Sequence, residues 1–383
     1  MPSMTSSERV ARVLAGDLPD RVPVLMQNFQ NTAYLAGMTL AEFCRSGARM
    51  AEACGCQVEY PEHEPPRVVR PALRSLEDVG RLRPVEPTRD GTLPELLDAT
   101  RRVRAGVAGR ACIKAEADQG PFDLAALRLG LELFLVALLQ PERHVGVRRL
   151  LEYCLEQVRR FALAQAAASA DFAAIGDTTA GPDVCSPRVY WQFAYPYEVW
   201  LASDLAARGV PLVLHICGNT TAIMADMAAT SASMIGFDYK ADMVRCRAAA
   251  EKSVLIGNVD PSAVMALGTL EQVLQASRQA IELVGKAGRF ILSPGCTLPA
   301  TTPPEDVEAM MEAARTFGQY HGRPECIPAC KHFLASVAID LQGLCWDRTG
   351  HDAETALGCV PSQGIIPRRY YAMWISRFDA TGP

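Results

Sequence analysis

No stretch of this 383-residue chain is long and apolar enough to cross a bilayer. The most hydrophobic segment, Leu127 to Leu139, carries Arg128 and Glu132 and stops at Pro141, so it reads as a buried helix and not a membrane span. Met1 to Asp17 has no apolar core of the kind a signal peptide needs. A dense Lys/Arg stripe is also missing, and the net charge is −5, which argues against a nucleic-acid surface. No Walker-type or dinucleotide-binding glycine motif occurs. The thirteen cysteines are odd in number and scattered without a paired framework, which suits a reducing cytoplasm better than a disulfide scaffold.

What is present is a rhythm. Hydrophobic residues make up 49% and charged residues 21%, enough for a sizeable core. Short apolar runs recur at Arg21–Met26, Cys56–Tyr60, Ala111–Glu116, Asp171–Asp177, Pro211–His215, Ala232–Phe237, Ser253–Gly257 and Arg289–Ser293. Helix-compatible sequence precedes the first (Ser6–Ala15) and follows every run or its turn: Thr39–Ala53, Leu93–Val107, a long helix through Leu139, Glu142–Ala168, Tyr195–Arg208, Thr220–Thr230, Lys240–Glu251, Thr269–Lys286 and Pro303–Gly318. Arg67–Asp90 is charged and proline-rich without a clear period and is expected as a surface excursion. Eight strand–helix units in about 320 residues predict an α/β fold, a (β/α)8 TIM barrel with an N-terminal helical lead-in, spanning residues 1–322.

In such barrels the chemistry sits at the C-terminal ends of the strands. Polar groups follow nearly every run here: Gln27 and Asn28, Glu116, Asp177, His215, Asp238, Asn258 and Cys296. Two ends carry metal-ligand chemistry. His215 and Cys217 are two residues apart at the end of one extended run and so point to one side, and Cys296 ends another in Ser293-Pro-Gly-Cys296. If those two ends are neighbours, one nitrogen and two sulfurs converge, a set suited to Zn²⁺ with a fourth position left open. The alternative is that the cysteines are small apolar filler, the commoner use of the residue. Glu116 and Asp177 are the candidate catalytic carboxylates, and Gln27, Asn28, Asp238 and Asn258 the candidate substrate-binding residues.

Asp20-Arg-Val-Pro-Val24, Gly120-Pro-Phe122, Ser186-Pro187, Tyr195-Pro196, Gly257-Asn-Val-Asp-Pro261 and Pro299-x-x-Thr302-Pro303-x-Glu305 resemble the uroporphyrinogen decarboxylase superfamily over about residues 5 to 320. The resemblance implies a (β/α)8 barrel. The decarboxylases of that superfamily carry an arginine-rich segment after the first strand, where this chain reads Gln27-Asn-Phe-Gln-Asn31, and a Gly-His-Gly motif after the last, where it reads Gly295-Cys296. The His-x-Cys…Cys pattern is similar instead to the cobalamin-dependent methyltransferase branch. That resemblance implies zinc on His215, Cys217 and Cys296, and methyl transfer between a methyl-corrinoid and a thiol such as coenzyme M. The chain has no Asp-x-His-x-x-Gly corrinoid motif, so cobalamin would be a co-substrate, free or carried by a corrinoid partner protein.

Two other readings stay open: a divergent decarboxylase-like lyase, and a non-catalytic barrel with a structural zinc closed by a fourth ligand from Glu116, Asp177 or Asp238. After Arg323 the rhythm stops. Residues 323–383 hold Cys326, Cys330, His332, Cys345, His351 and Cys359, and are expected as an irregular or docking extension in preference to a second metal site.

Overall fold

A computed structural model describes residues 4–27, 31, 57–59, 67–90, 93–107, 109–320 and 338–340. The first helix, Ser6–Ala15, forms where the sequence caps both of its ends. Thr5 and Glu8 make a reciprocal capping box, with Thr5 Oγ1 accepting the Glu8 amide at 3.2 Å and Glu8 accepting the Thr5 amide at 2.6 Å. Gly16, at φ 85°, stops it in a left-handed turn.

Nine strands are described: β1 (Gln57–Glu59), β2 (Arg67–Arg70), β3 (Cys112–Gln119), β4 (Phe172–Gly176), β5 (Leu212–Ile216), β6 (Met234–Phe237), β7 (Val254–Val259), β8 (Phe290–Pro294) and β9 (Ala338–Asp340). Strands β3 to β8 lie side by side in sequence order, every pair parallel, with helices in the connections. The first expected run adds to the β8 edge. Leu25 donates to the Leu292 carbonyl and Leu292 to that of Pro23, both at 2.9 Å, and Val24 bridges Leu292 in parallel.

The second expected strand is corrected. Gln57–Glu59 is extended but pairs antiparallel with β2, outside the parallel sheet. The edge of β3 is instead joined by β9, from the segment expected to be irregular. Arg67–Asp90 is not a mere surface excursion, because it contains β2 and a 3-10 turn, Leu76–Arg81, and buries Val79 and Val85. The long helix through Leu139 is two helices, Pro121–Leu129 and Leu131–Leu138, broken at Gly130 with φ 89°. The first of them is buried at every residue except the half-buried Leu127, whereas Leu131, Leu133, Val136 and Leu139 are all exposed. The expected helix Thr39–Ala53, Asn28 and the tail's cysteines and histidines lie outside the described residues. Among the described residues no helix is long and apolar enough to cross a membrane.

Both faces of the sheet are buried, as parallel sheets require. Ala173, Ile175, Leu212, Leu214, Ile235, Phe237, Leu255, Phe290 and Leu292 pack against the helical layer. The alternate residues, Cys112, Phe172, Ala174, Val213, Met234, Val254, Ile256 and Ile291, form a second, inner cluster closed by Val10 and Val13 of the first helix. Strand alternation then dictates what comes next on that inner face toward the C-terminal ends: Lys114 and Glu116, Gly176, His215, Gly236, Asn258 and Ser293. The apolar layer ends there and a polar one begins.

Candidate metal centre

His215 is the last inward residue of β5, and Cys217 follows just past the strand. The ring has room because its partner on the next strand is a glycine. His215 pairs in register with Gly236, and a Cβ at 236 would come 2.8 Å from the His215 Nδ1. On the other side, Gly181 lies so close to Cys217 that a Cβ there would meet the Cys217 carbonyl oxygen at 2.9 Å. Cys296 follows β8 in a loop that Gly295 allows to run against the Tyr239 backbone, its would-be Cβ only 2.5 Å from the Tyr239 amide.

The two strand ends are not neighbours, since β6 and β7 stand between β5 and β8. The three side chains meet all the same, because the sheet curves and all of them project over its inner face. His215 Nε2 is 3.3 Å from Cys217 Sγ, and Cys217 Sγ is 3.6 Å from Cys296 Sγ. All three ligand atoms lie within 4.8 Å of one another. A tetrahedral zinc with the usual bond lengths spaces two sulfurs by about 3.8 Å and a nitrogen and a sulfur by about 3.6 Å. The His215–Cys217 and Cys217–Cys296 separations fit that template to within a few tenths of an ångström. Among the described residues no fourth His, Cys, Asp or Glu joins the set.

The electrostatics suit the same donor set. The contact with Cys296 holds the Cys217 thiol pKa below the ordinary value, opposed by burial and assisted by the Thr178 hydroxyl. The same contact, with burial, pushes Cys296 well up. Burial works against a charged His215 ring, but the hydrogen bond and charge of Cys296, with Asp238 behind, outweigh it and raise its pKa. A group of this kind holds protons that a divalent cation would displace. His215 Nδ1 is buried and meets no partner among the described residues.

The other expected site residues are distributed around this set. Asp238 is buried and shapes the loops: its carboxylate accepts from the Gly218 amide at 3.0 Å and the Lys240 amide at 2.9 Å. Asn258 donates to the Asp238 carbonyl at 3.3 Å. Glu116 is partly exposed and forms an ion pair with Lys114, whose side chain is almost wholly buried on the same inner face. The Gln27 carbonyl accepts the Leu298 amide at 2.7 Å, which ties the end of the first run to the Cys296 loop.

Asp177 is placed differently. It is fully buried, and its carboxylate turns away from the inner face into the helical layer, over Gly120, where a Cβ would come within 2.5 Å of all three carboxyl atoms. There it accepts the Asp123 amide at 2.8 Å. Asp123 in turn accepts the Thr178 amide at 3.0 Å, the Thr179 amide at 2.7 Å and the Thr179 hydroxyl. Glu198, also fully buried, accepts the Tyr190 hydroxyl at 2.6 Å and lies within hydrogen-bonding reach of Asp177. Asp177 Oδ2 and Glu198 Oε1 find no donor elsewhere among the described residues. Two buried carboxyls facing each other need a proton between them. Burial and repulsion from the neighbouring carboxylates accordingly raise Asp177 far above the carboxylate range and Glu198 to about 8, and burial alone raises Asp123 to about 6.

Sequence reasoning missed Asp123, Glu198 and Lys114. Asp123 stands in the first turn of its helix, where an acid normally serves the helix dipole. Glu198 also sits in a first turn and carries the same bland signal. Lys114 was the readable one: a lysine within an apolar run, two residues before Glu116.

The uroporphyrinogen decarboxylase (URO-D) family matches residues 48–317, the larger part of the chain. The chain belongs to the uroporphyrinogen decarboxylase family. Within that family its relatives include methylcobamide:CoM methyltransferase MtbA of Methanosarcina acetivorans, 29% identical over 268 residues that cover 70% of this chain and 76% of that protein. MtaA of Methanosarcina barkeri, of the same description, is 25% identical over 345 residues, 82% of this chain and 98% of that protein. Uroporphyrinogen decarboxylase of Anaeromyxobacter dehalogenans is 27% identical over 260 residues, 66% and 71% respectively. The fold is similar to that of a methyltransferase from Methanosarcina mazei, with a TM-score of 0.71 and 24% identity over 82% of this chain and 99% of that one. The family expected from the quoted motifs is thus the one found.

Proposed function

We infer that this chain is a zinc-dependent methyltransferase that passes a methyl group between a methyl-corrinoid and a small thiol. The observation that carries the reading is the convergence of His215, Cys217 and Cys296 without a fourth protein donor. His215 through Nε2 and the two cysteine sulfurs are the residues that would hold zinc. Bound there, zinc supplies one thing: it keeps a coordinated substrate thiol deprotonated at neutral pH. Two cysteinate ligands cancel the charge of Zn²⁺, so the set favours a nucleophilic sulfur over the metal-hydroxide chemistry of three-histidine sites. A non-catalytic zinc would call for a closed set of four protein ligands. Three among the described residues speak for an open one.

The remaining assignments follow from position. The sheet follows the (β/α)8 plan, with the first run at its β8 edge and β9, from the 323–383 extension, at its β3 edge. Lys114 with Glu116, Asn258 and Ser293 line the floor beneath the metal position, while Asp238 fixes the loops on either side of it. Gln27, tied to the Cys296 loop through its carbonyl, and its sequence neighbour Asn28 contact the substrate. Asp177 acts from beneath the site, by holding the loop that carries Thr178. The corrinoid comes from outside the chain, free or on a partner protein, in the cytoplasm. Relatives named for the CoM thiol favour a small thiol as the acceptor.

The test is direct. Metal analysis should find one zinc per chain. With methylcobalamin and a small thiol, the C–Co bond breaks with its electron pair left on cobalt, and the thiolate sulfur forms the new S–C bond. Thioether and cob(I)alamin should therefore appear together, and both should stop on zinc removal and resume on its return. Full thiol methylation by the zinc-free protein, or efficient decarboxylation of a porphyrinogen, would overturn the reading.

A further inference from the structure

The two sulfurs of the metal set are not equivalent. Thr178 Oγ1 donates to Cys217 Sγ at 3.2 Å, whereas among the described residues no hydroxyl or amide donates to Cys296 Sγ. The hydroxyl is held in place from behind. Asp123 grips the Thr178 and Thr179 amides, and the turn Thr178–Ala180 ends at Gly181, whose bare Cα lies against the Cys217 carbonyl. Nothing in zinc binding itself demands this arrangement. A methyl-transfer site does have a use for it, because the enzyme's own metal-bound sulfurs compete with the substrate for the methyl group.

We propose that Thr178 is a selectivity-determining residue that protects Cys217 from methylation, with Asp123 as the positioning residue that aims it. This rests on the zinc reading above. A hydroxyl bonded to a metal-bound thiolate draws charge from sulfur and lowers its nucleophilicity, so the methyl group goes to the substrate sulfur in preference to Cys217.

The test uses zinc-loaded full-length protein and iodomethane as the methyl source. Cysteine sulfur forms the S–CH₃ bond as the C–I bond breaks and iodide leaves. Site-resolved mass spectrometry reads methylation of Cys217 against Cys296 in the same molecule. Thr178→Val should raise that ratio about fivefold, the worth of one hydrogen bond. Thr178→Ser should return it to the wild-type value. In the cobalt(II)-substituted protein, Thr178→Val should also move the sulfur-to-metal charge-transfer band to longer wavelength. Should Thr178→Val fail to fold, Asp123→Asn gives the second measurement, with a smaller rise of the same sign. A wild-type protein without zinc would overturn this proposal and the zinc reading together. Zinc present with an unchanged Cys217-to-Cys296 ratio would overturn this proposal alone.

Discussion

Along the inner face of β3 to β8 two layers lie one residue pair apart. The lower one is Phe172, Ala174, Val213, Met234, Val254, Ile256 and Ile291, sealed by Val10 and Val13. The upper one is Lys114, Glu116, His215, Asn258 and Ser293, with Cys217 and Cys296 just beyond. Both are products of the same period-two alternation on the same strands. The lower layer removes apolar surface from water and has no polar atom to satisfy. The upper layer contains buried atoms that the described residues leave unmatched, His215 Nδ1 and Ser293 Oγ among them. Buried polar atoms are costly unless something pairs with them. Stability therefore resides below and ligand chemistry above, and the boundary between them is one rung thick.

The sharpest way to break this comparison is to remove a ligand from the upper layer. Cys296→Ser should weaken zinc binding by more than about a hundredfold and abolish methyl transfer. Its circular dichroism and thermal midpoint in metal-free buffer should match those of the parent. A variant that keeps its zinc would place the metal elsewhere. The reciprocal change is Phe172→Ala in the lower layer, which should cost about 4 kcal/mol of stability through the cavity it opens. Below its melting point that variant should still bind one zinc, as metal titration would show. Loss of zinc in the folded state would mean that the layers are coupled.

A smaller effect is expected behind the sheet, at the proton shared by Asp177 and Glu198. Glu198 is raised from 4.5 to about 8 in the folded chain. A carboxyl with a raised folded pKa gives stability that is complete below the unfolded value and is lost as pH climbs through the folded one. Wild-type stability should therefore fall between pH 5 and pH 8 from this source. Glu198→Gln keeps an acceptor for Tyr190 and a donor for Asp177 without the titration. Its thermal midpoint should equal the parent's at pH 5 and exceed it by roughly 3 °C at pH 8. Parallel pH profiles for the two proteins would rule out the shared proton.

How much of this was legible in the sequence depended on whether the signal was local. The six runs that became β3 to β8 were readable because each is a short apolar segment ended by a turn residue. His215 and Cys217 were readable as a pair because a strand places i and i+2 on one side. Cys56–Tyr60 misled because a run of that length is extended whichever partner it takes, and here it took β2. Asp177 misled because a polar residue after a strand can face either the cavity or the helical layer. It took the second, where Gly120 leaves space for it.

The sequence by itself determined the strand–helix alternation, the family, and the residue types able to hold zinc. Those follow from periodicity and from side-chain chemistry, which are properties of the chain. Only the tertiary structure decided that Cys296 reaches Cys217 across two intervening strands, that Thr178 donates to one sulfur and not the other, and that Asp123, Asp177 and Glu198 share one buried pocket. These are contacts between residues up to 79 positions apart. Curvature of the sheet and the absence of a Cβ at Gly120, Gly181 and Gly236 create them, and no local pattern records which atoms a missing Cβ will admit.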